Sequence, residues 1–268
     1  MRLIIRHDTH YRYEHPVRFS AQYLRLTPYN NPSQRLIRWR INAPGHQRQW
    51  IDAYGNICHT LVCDQLTDEI GISASGIVET VDTNGILPMD ESGIPIEVFL
   101  RTTPLTVPDG LIRDFAAPFR AALEKDRLTG LHDLMRGIRG VVDYREGETH
   151  VRSTASDALR DRVGVCQDHA HLFIACSRAL GVPARYVSGY LYTGEQAAAA
   201  VAGHAWAAAW VEYLGWVSFD VSNQISGTER YVGLAVGLDY AGASPVRGVR
   251  QGGSAAEAMA IQVQVTQA

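Results

Sequence analysis

The segment Gly164-Val165-Cys166-Gln167-Asp168-His169-Ala170-His171 sets a cysteine at the start of a helical pattern. Further along stand Gly203-His204-Ala205-Trp206 and Gly215-Trp216-Val217-Ser218-Phe219-Asp220, each reading as the start or end of a strand. A thiol attacks as thiolate, and an ordinary cysteine with a pKa of about 8.5 is mostly protonated at neutral pH. Unpaired backbone N–H groups at a helix start and a nearby imidazolium both favour the thiolate. Gly164 permits a tight entry, so Cys166 falls on the first turn, where both devices can reach it. The same N–H groups can stabilise an oxyanion on a substrate carbonyl. His204 is the candidate base and Asp220 its orienter.

Hairpin register tests that pairing. His204, Trp206, Ala208 and Trp210 share one face of their strand, and Trp216, Ser218 and Asp220 share one of theirs. Paired residues point the same way, so the two sets coincide only if the loop has an odd number of residues. A loop centred on Tyr213 pairs Trp206 with Asp220 and sets His204 on the diagonal, roughly 7–8 Å away at the backbone. Asp220 can then hold one imidazole nitrogen while the other faces the thiol.

The elements that must carry these groups follow from periodicity. Residues 3–13 alternate apolar and polar, and further strand-like runs cover 17–26, 36–42, 47–51, 56–64 and 69–80. Turn chemistry at Asn30-Asn31-Pro32, Ala43-Pro44-Gly45 and Tyr54-Gly55-Asn56 separates them, which predicts an antiparallel sandwich or barrel. A stretch rich in proline and glycine, 85–108, predicts a boundary near residue 105. The expected units are therefore a β-sandwich over 1–105 and a catalytic domain over 106–268.

Beyond the boundary the period changes. Residues 109–125 and 129–142 read as helices, the first interrupted at Pro118. Ser153 or Thr154 caps a short helix ending near Arg162, and the main helix runs over 166–180, with Gly181 and Pro183 ending it. Strands follow at 185–192, 204–211 and 216–221, with an alanine- and glycine-rich loop over 193–203 and a closing strand at 260–266.

Composition narrows the function classes. The chain has 268 residues, 46% of them hydrophobic and 20% charged, as expected of a globular protein with a real core. A net charge of −3 gives no electrostatic case for nucleic acid or an anionic membrane. No apolar run approaches the roughly 20 residues of a membrane helix, and residues 1–12 lack a signal-peptide core, so the expected location is the cytoplasm. Four scattered cysteines agree with a reducing compartment.

The order Cys166, His204, Asp220, on a helix followed by antiparallel strands, resembles the transglutaminase-like superfamily, a papain-like arrangement. The likeness is to bacterial members with a β-rich N-terminal region. It rests on the opening strand, on Leu180-Gly181-Val182-Pro183-Ala184-Arg185-Tyr186-Val187-Ser188-Gly189-Tyr190, on His204-Ala205-Trp206, on residues 216–223, and on 236–248 with Asp239-Tyr240 and Pro245-Val246-Arg247-Gly248. The resemblance implies an α+β fold, a papain-like core preceded by an antiparallel β-sandwich. It also implies acyl transfer from an amide through a thioester, with Cys166, His204 and Asp220 in the catalytic roles. Two departures stand out: Ala208 where the family often has glutamate, and Val221 where proline is common. No acidic clusters have calcium-loop spacing, so calcium-activated cross-linking is not implied.

Other residues near the nucleophile carry open readings. Gln167, Asp168, His169 and Trp206 are the expected substrate contacts. Asp168 also suits the helix dipole and can bond a cleft loop, and His169 is equally well an ordinary polar helix residue. Trp206, with Trp210 and Trp216, reads as core before it reads as a substrate platform. Tyr144 is either an oxyanion donor or a packing residue. His169 and His171 are two apart and diverge on a helix, unlike an i, i+4 zinc pair, so no metal or cofactor is expected. The expected partner is a peptide or protein substrate; oligomeric state is left open. Hydrolysis is favoured over transamidation because water is abundant, and a catalytically silent peptide-binding module is the competing reading.

Overall fold

The computed structural model describes residues 1–87, 93–194, 203–252 and 257–268. Strands β1 (Arg2–Val17), β2 (Phe19–Leu24), β3 (Gln34–Asn42), β4 (His46–Ile51), β5 (Ile57–Cys63) and β6 (Thr67–Thr80) occupy the predicted β region, followed by the short β7 (Ile86–Leu87). Then come α1 (Gly110–Ala116), α2 (Arg120–Lys125), α3 (Arg127–Val141), β8 (Asp143–Tyr144), α4 (Ala155–Asp161), β9 (Val163–Gly164) and α5 (Cys166–Ala179). The chain continues through β10 (Ala184–Leu191), β11 (Gly203–Val211), β12 (Gly215–Phe219), β13 (Tyr231–Gly237), α6 (Tyr240–Ala243), β14 (Val246–Gln251) and β15 (Glu257–Gln267). Most of the predicted 193–203 loop lies outside the described residues.

Local chemistry sets several ends. Pro118 sits in the 3-10 turn that separates α1 from α2. Thr154 caps α4 by accepting from the Asp157 N–H, and Asp157 bonds back to the Thr154 N–H. Gly181, at φ +81°, takes the left-handed position that ends α5.

Three antiparallel sheets carry the architecture, in the orders β15-β1-β6-β3, β14-β2-β5-β4 and β13-β10-β11-β12-β7. The first two form the sandwich. The expected division at residue 105 does not partition the sheets: β14 pairs with β2 and β15 with β1, so the last strands complete the N-terminal sandwich, while β7 joins the sheet of the second half. A strand edge presents unpaired backbone groups, and β14 and β15 cover those of β2 and β1 from far along the sequence.

The five-stranded sheet is buried on both faces. Ala205, Ala207, Ala209, Val217 and Phe219 turn toward a core built with Leu134, Ile138, Leu172 and Phe173 of the helices. Leu3, Ile5 and Val263 of the sandwich pack against Tyr190, Val232 and Leu234 of β10 and β13. Helix α5 lies at the centre, with every residue from Asp168 to Arg178 buried. Removing Phe173 alone would cost about 3–5 kcal/mol, so the sulfur-bearing end rests on a rigid support. Among the described residues no helix is long and apolar enough to cross a membrane.

Candidate active site

Entry to α5 is shaped by two residues. At Gly164 a Cβ would lie 2.7 Å from the Asp168 Cβ, so glycine alone lets the chain turn this tightly into the helix. The cap position falls to Val165, which supplies no side-chain acceptor. Cys166, half-buried, therefore opens a helix whose N-terminal N–H groups face the site without a cap residue's oxygen over them.

The β11–β12 hairpin brings the other two groups in. Val211 pairs with Gly215, leaving a three-residue loop centred on Tyr213, which takes a left-handed φ of 69°. Ala207 pairs with Phe219, which sets Trp206 level with Asp220 and His204 one diagonal step further. This is the odd-loop register the chemistry requires. Nε2 of His204 lies 2.6 Å from Oδ2 of Asp220, and the same side chain is in hydrogen-bond contact with the Cys166 thiol.

Electrostatics follow from that contact set. Burial by itself would lower the His204 pKa, but the Asp220 carboxylate and the Cys166 sulfur outweigh it and raise it to about 10. The Asp220 carboxyl shows the reverse balance: burial pushes it up, and the His204, Asn223 and Tyr231 donors hold it below its usual range. Three donors converge on its Oδ2: His204 Nε2, Asn223 Nδ2 at 2.7 Å and the Tyr231 hydroxyl at 2.7 Å. Asn223 N–H donates to Oδ1 at 3.2 Å. A buried carboxylate so fully partnered stays ionised and fixed in place.

The expected substrate contacts fare differently. Gln167 is half-buried and reaches the Val151 carbonyl at 3.4 Å. Asp168 is 1% exposed and turned inward: its Oδ2 accepts from the Val165 N–H at 2.8 Å and from Thr149 Oγ1 at 2.7 Å. Burial raises its carboxyl against the pull of those two donors. It ties the 145–153 segment to the helix start. His169 is also 1% exposed and has both ring nitrogens committed: Nε2–H donates to the Val142 carbonyl at 3.1 Å, and Nδ1 accepts from Ser222 Oγ at 2.9 Å. Burial lowers its pKa to about 4, so it is neutral.

Trp206, 4% exposed, stacks against the His204 ring at 6.1 Å and meets Tyr231 edge-on at 5.2 Å. It walls the imidazole–carboxylate pair from water and offers no platform to substrate. Asp168, His169 and Trp206 are thus each nearly fully buried against the protein itself, with Asp168 Oδ1 left without a hydrogen-bond partner. Ala208 and Val221, the two departures from the family pattern, are both buried in apolar clusters. Tyr144 lies level with Gly164 in the parallel β8–β9 pairing. Burial, with Cys166, Glu146 and Asp220 nearby, pushes its phenol up to about 12, so it remains a donor.

Tyr231 escaped the reading of the sequence. Its segment, Tyr-Val-Gly-Leu-Ala-Val-Gly, has the continuous apolar and glycine character of a strand buried on both faces, which was the available signal.

Comparison with known proteins places the family and the fold. Residues 113–221 match the transglutaminase-like superfamily model, and residues 3–79 match the bacterial transglutaminase-like N-terminal region. An uncharacterized protein of Mycobacterium leprae is 32% identical over 99% of this chain and 98% of its own length. One of Mycobacterium tuberculosis is 33% identical over 91% of this chain and 86% of its own. The crystal structure of a candidate cysteine protease from Cytophaga hutchinsonii superposes with a TM-score of 0.73 at 22% identity, covering 100% of this chain and 91% of that one, and shares its fold. The chain, read through its fold and its two matched regions, belongs to the transglutaminase-like superfamily.

Proposed function

We propose that the protein is a cysteine-nucleophile acyl-transfer enzyme acting on amide or peptide bonds, with water as the acceptor. The observation that carries the reading is the chain of contacts from the Cys166 thiol through His204 to Asp220, the last link 2.6 Å long. In this reading Cys166 is the nucleophile, His204 the proton carrier and Asp220 the group that orients and charges the ring.

The sulfur, its proton held by His204, attacks the amide carbonyl, and the oxygen takes the negative charge beside the first-turn N–H groups of α5. Collapse of the tetrahedral adduct breaks the C–N bond while His204 gives its proton to the leaving amine. A thioester remains. Water, losing a proton to His204, then attacks the thioester, and the acid departs as the thiol is restored. An amine in place of water would complete a transamidation, but water is the acceptor in greatest supply.

Incubation with a peptide library, with and without a primary amine, tests this by mass spectrometry. Chain scission or side-chain deamidation dependent on Cys166 is the expected result. Amine incorporation with loss of ammonia would reassign the acceptor. Neither product at high enzyme concentration, together with Cys166 alkylated no faster than the fully buried Cys176, would make the cleft a binding module.

A further inference from the structure

Strand β13 is the outer strand of the five-stranded sheet, and its backbone is held on that side by side chains of the sandwich. Gln34 donates from Nε2 to the Gly233 carbonyl at 2.8 Å and accepts the Gly233 N–H at Oε1, also at 2.8 Å. Asn56 repeats the pattern at Val236, donating to its carbonyl at 2.8 Å and accepting its N–H at 2.8 Å. Thr80 donates its hydroxyl to the Glu229 carbonyl. Each carboxamide thus stands in for the missing neighbouring strand. Both are buried, Gln34 at 3% exposure and Asn56 at 0%, and both are oriented in turn, Gln34 by the Tyr29 carbonyl and Asn56 by Asp52.

These grips bear on the site through one ladder row. Gly189 pairs with His204 on one side and with Gly233 on the other, so His204, Gly189 and Gly233 lie abreast. A Cβ at Gly189 would fall 2.2 Å from the Val232 carbonyl and 2.6 Å from the Trp206 ring, so this row is packed without slack. Two residues from Gly233 on the same strand, Tyr231 gives its hydroxyl to the Asp220 carboxylate at 2.7 Å.

We infer that Tyr231 is a positioning residue for the Asp220–His204 pair, and that the N-terminal sandwich holds it in place through Gln34 and Asn56, making that sandwich a working part of the active site. The inference rests on the reading of Cys166, His204 and Asp220 as reactive groups. Gln34 and Asn56 touch none of these groups; they act by fixing where β13 lies.

Alkylation of Cys166 by iodoacetamide, followed by peptide mass spectrometry with Cys176 as the internal reference, tests this without a known substrate. The full-length chain is used across a range of pH. In Tyr231→Phe the carboxylate loses one of its donors and protonates earlier as pH falls, so the acid limb of the Cys166 profile moves up by about 1 pH. Gln34→Leu moves the same limb in the same direction, and the double variant moves it no further than Tyr231→Phe alone, because Gln34 acts through Tyr231.

Gln34→Asn, which keeps donor and acceptor on a shorter arm, gives a smaller shift and serves where Gln34→Leu does not fold. A Gln34 variant with a lowered melting temperature but the wild-type pH profile would overturn the inference, as would full additivity in the double variant. Wild-type Cys166 no more reactive than Cys176 would overturn the underlying functional reading as well.

Discussion

Replacing Asp220 by asparagine keeps the shape of the side chain and removes its charge, and the structure sets the size of the consequence. With the carboxylate present, the His204 pKa stands at about 10, although burial pulls it down. At pH of about 7.5 the ring is then imidazolium in about 99% of molecules or more. Without the carboxylate, burial acts against only the sulfur, and the ring drops to or below its ordinary value near 6.5. The imidazolium fraction at about pH 7.5 falls to about 10% or less, a loss of at least about tenfold in the activated pair.

The ring also loses the acceptor that fixes its orientation, so turnover drops by about 10²–10⁴ in total. The assay is the second-order rate of Cys166 alkylation against pH, with Cys176, whose thiol is pushed up by complete burial, as the reference that the substitution does not alter. A circular-dichroism melt confirms the fold. An Asp220→Asn protein that alkylates Cys166 within about threefold of wild type near pH 7.5, with its fold intact, would refute the claim that this acid keeps the imidazole charged.

The same linkage predicts a stability difference. A folded-state pKa raised above the unfolded value stabilises fully below about 6.5 and loses that contribution as pH rises toward 10. Wild type should therefore lose stability more steeply than His204→Gln over that window, as measured by urea midpoints. Asn56→Ala leaves the Val236 N–H and C=O unpaired at a site of 0% exposure, for a loss of about 2–4 kcal/mol by urea unfolding with an unchanged slope. Deleting residues 257–268 removes β15, uncovers the long edge of β1 and strips Val263 from the seam, so the truncated chain should aggregate on size-exclusion chromatography.

How much of this was legible beforehand depended on range. The sandwich strands, the break at Pro118, the Thr154 cap and the end of α5 at Gly181 were readable because each is set within a few residues. The hairpin register was readable too, since parity and one left-handed loop residue decide it. The burial of Asp168, His169 and Trp206 was not legible. Their types suit a cleft, and nothing local reveals that Thr149, Val142, Ser222 and Tyr231 take up their atoms or faces.

By itself the chain's sequence determined which three groups to look for together and which local elements present them, because helix entry, alternation and turn residues act through neighbouring atoms. Only tertiary structure decided that β14 and β15 return to the sandwich, that β13 needs Gln34 and Asn56 along its outer side, and that Tyr231 steadies the acid. Those outcomes turn on which backbone edges and buried polar atoms lack partners after the sheets form. That is a property of the assembled molecule, with contacts such as Gln34 to Gly233 spanning 199 residues.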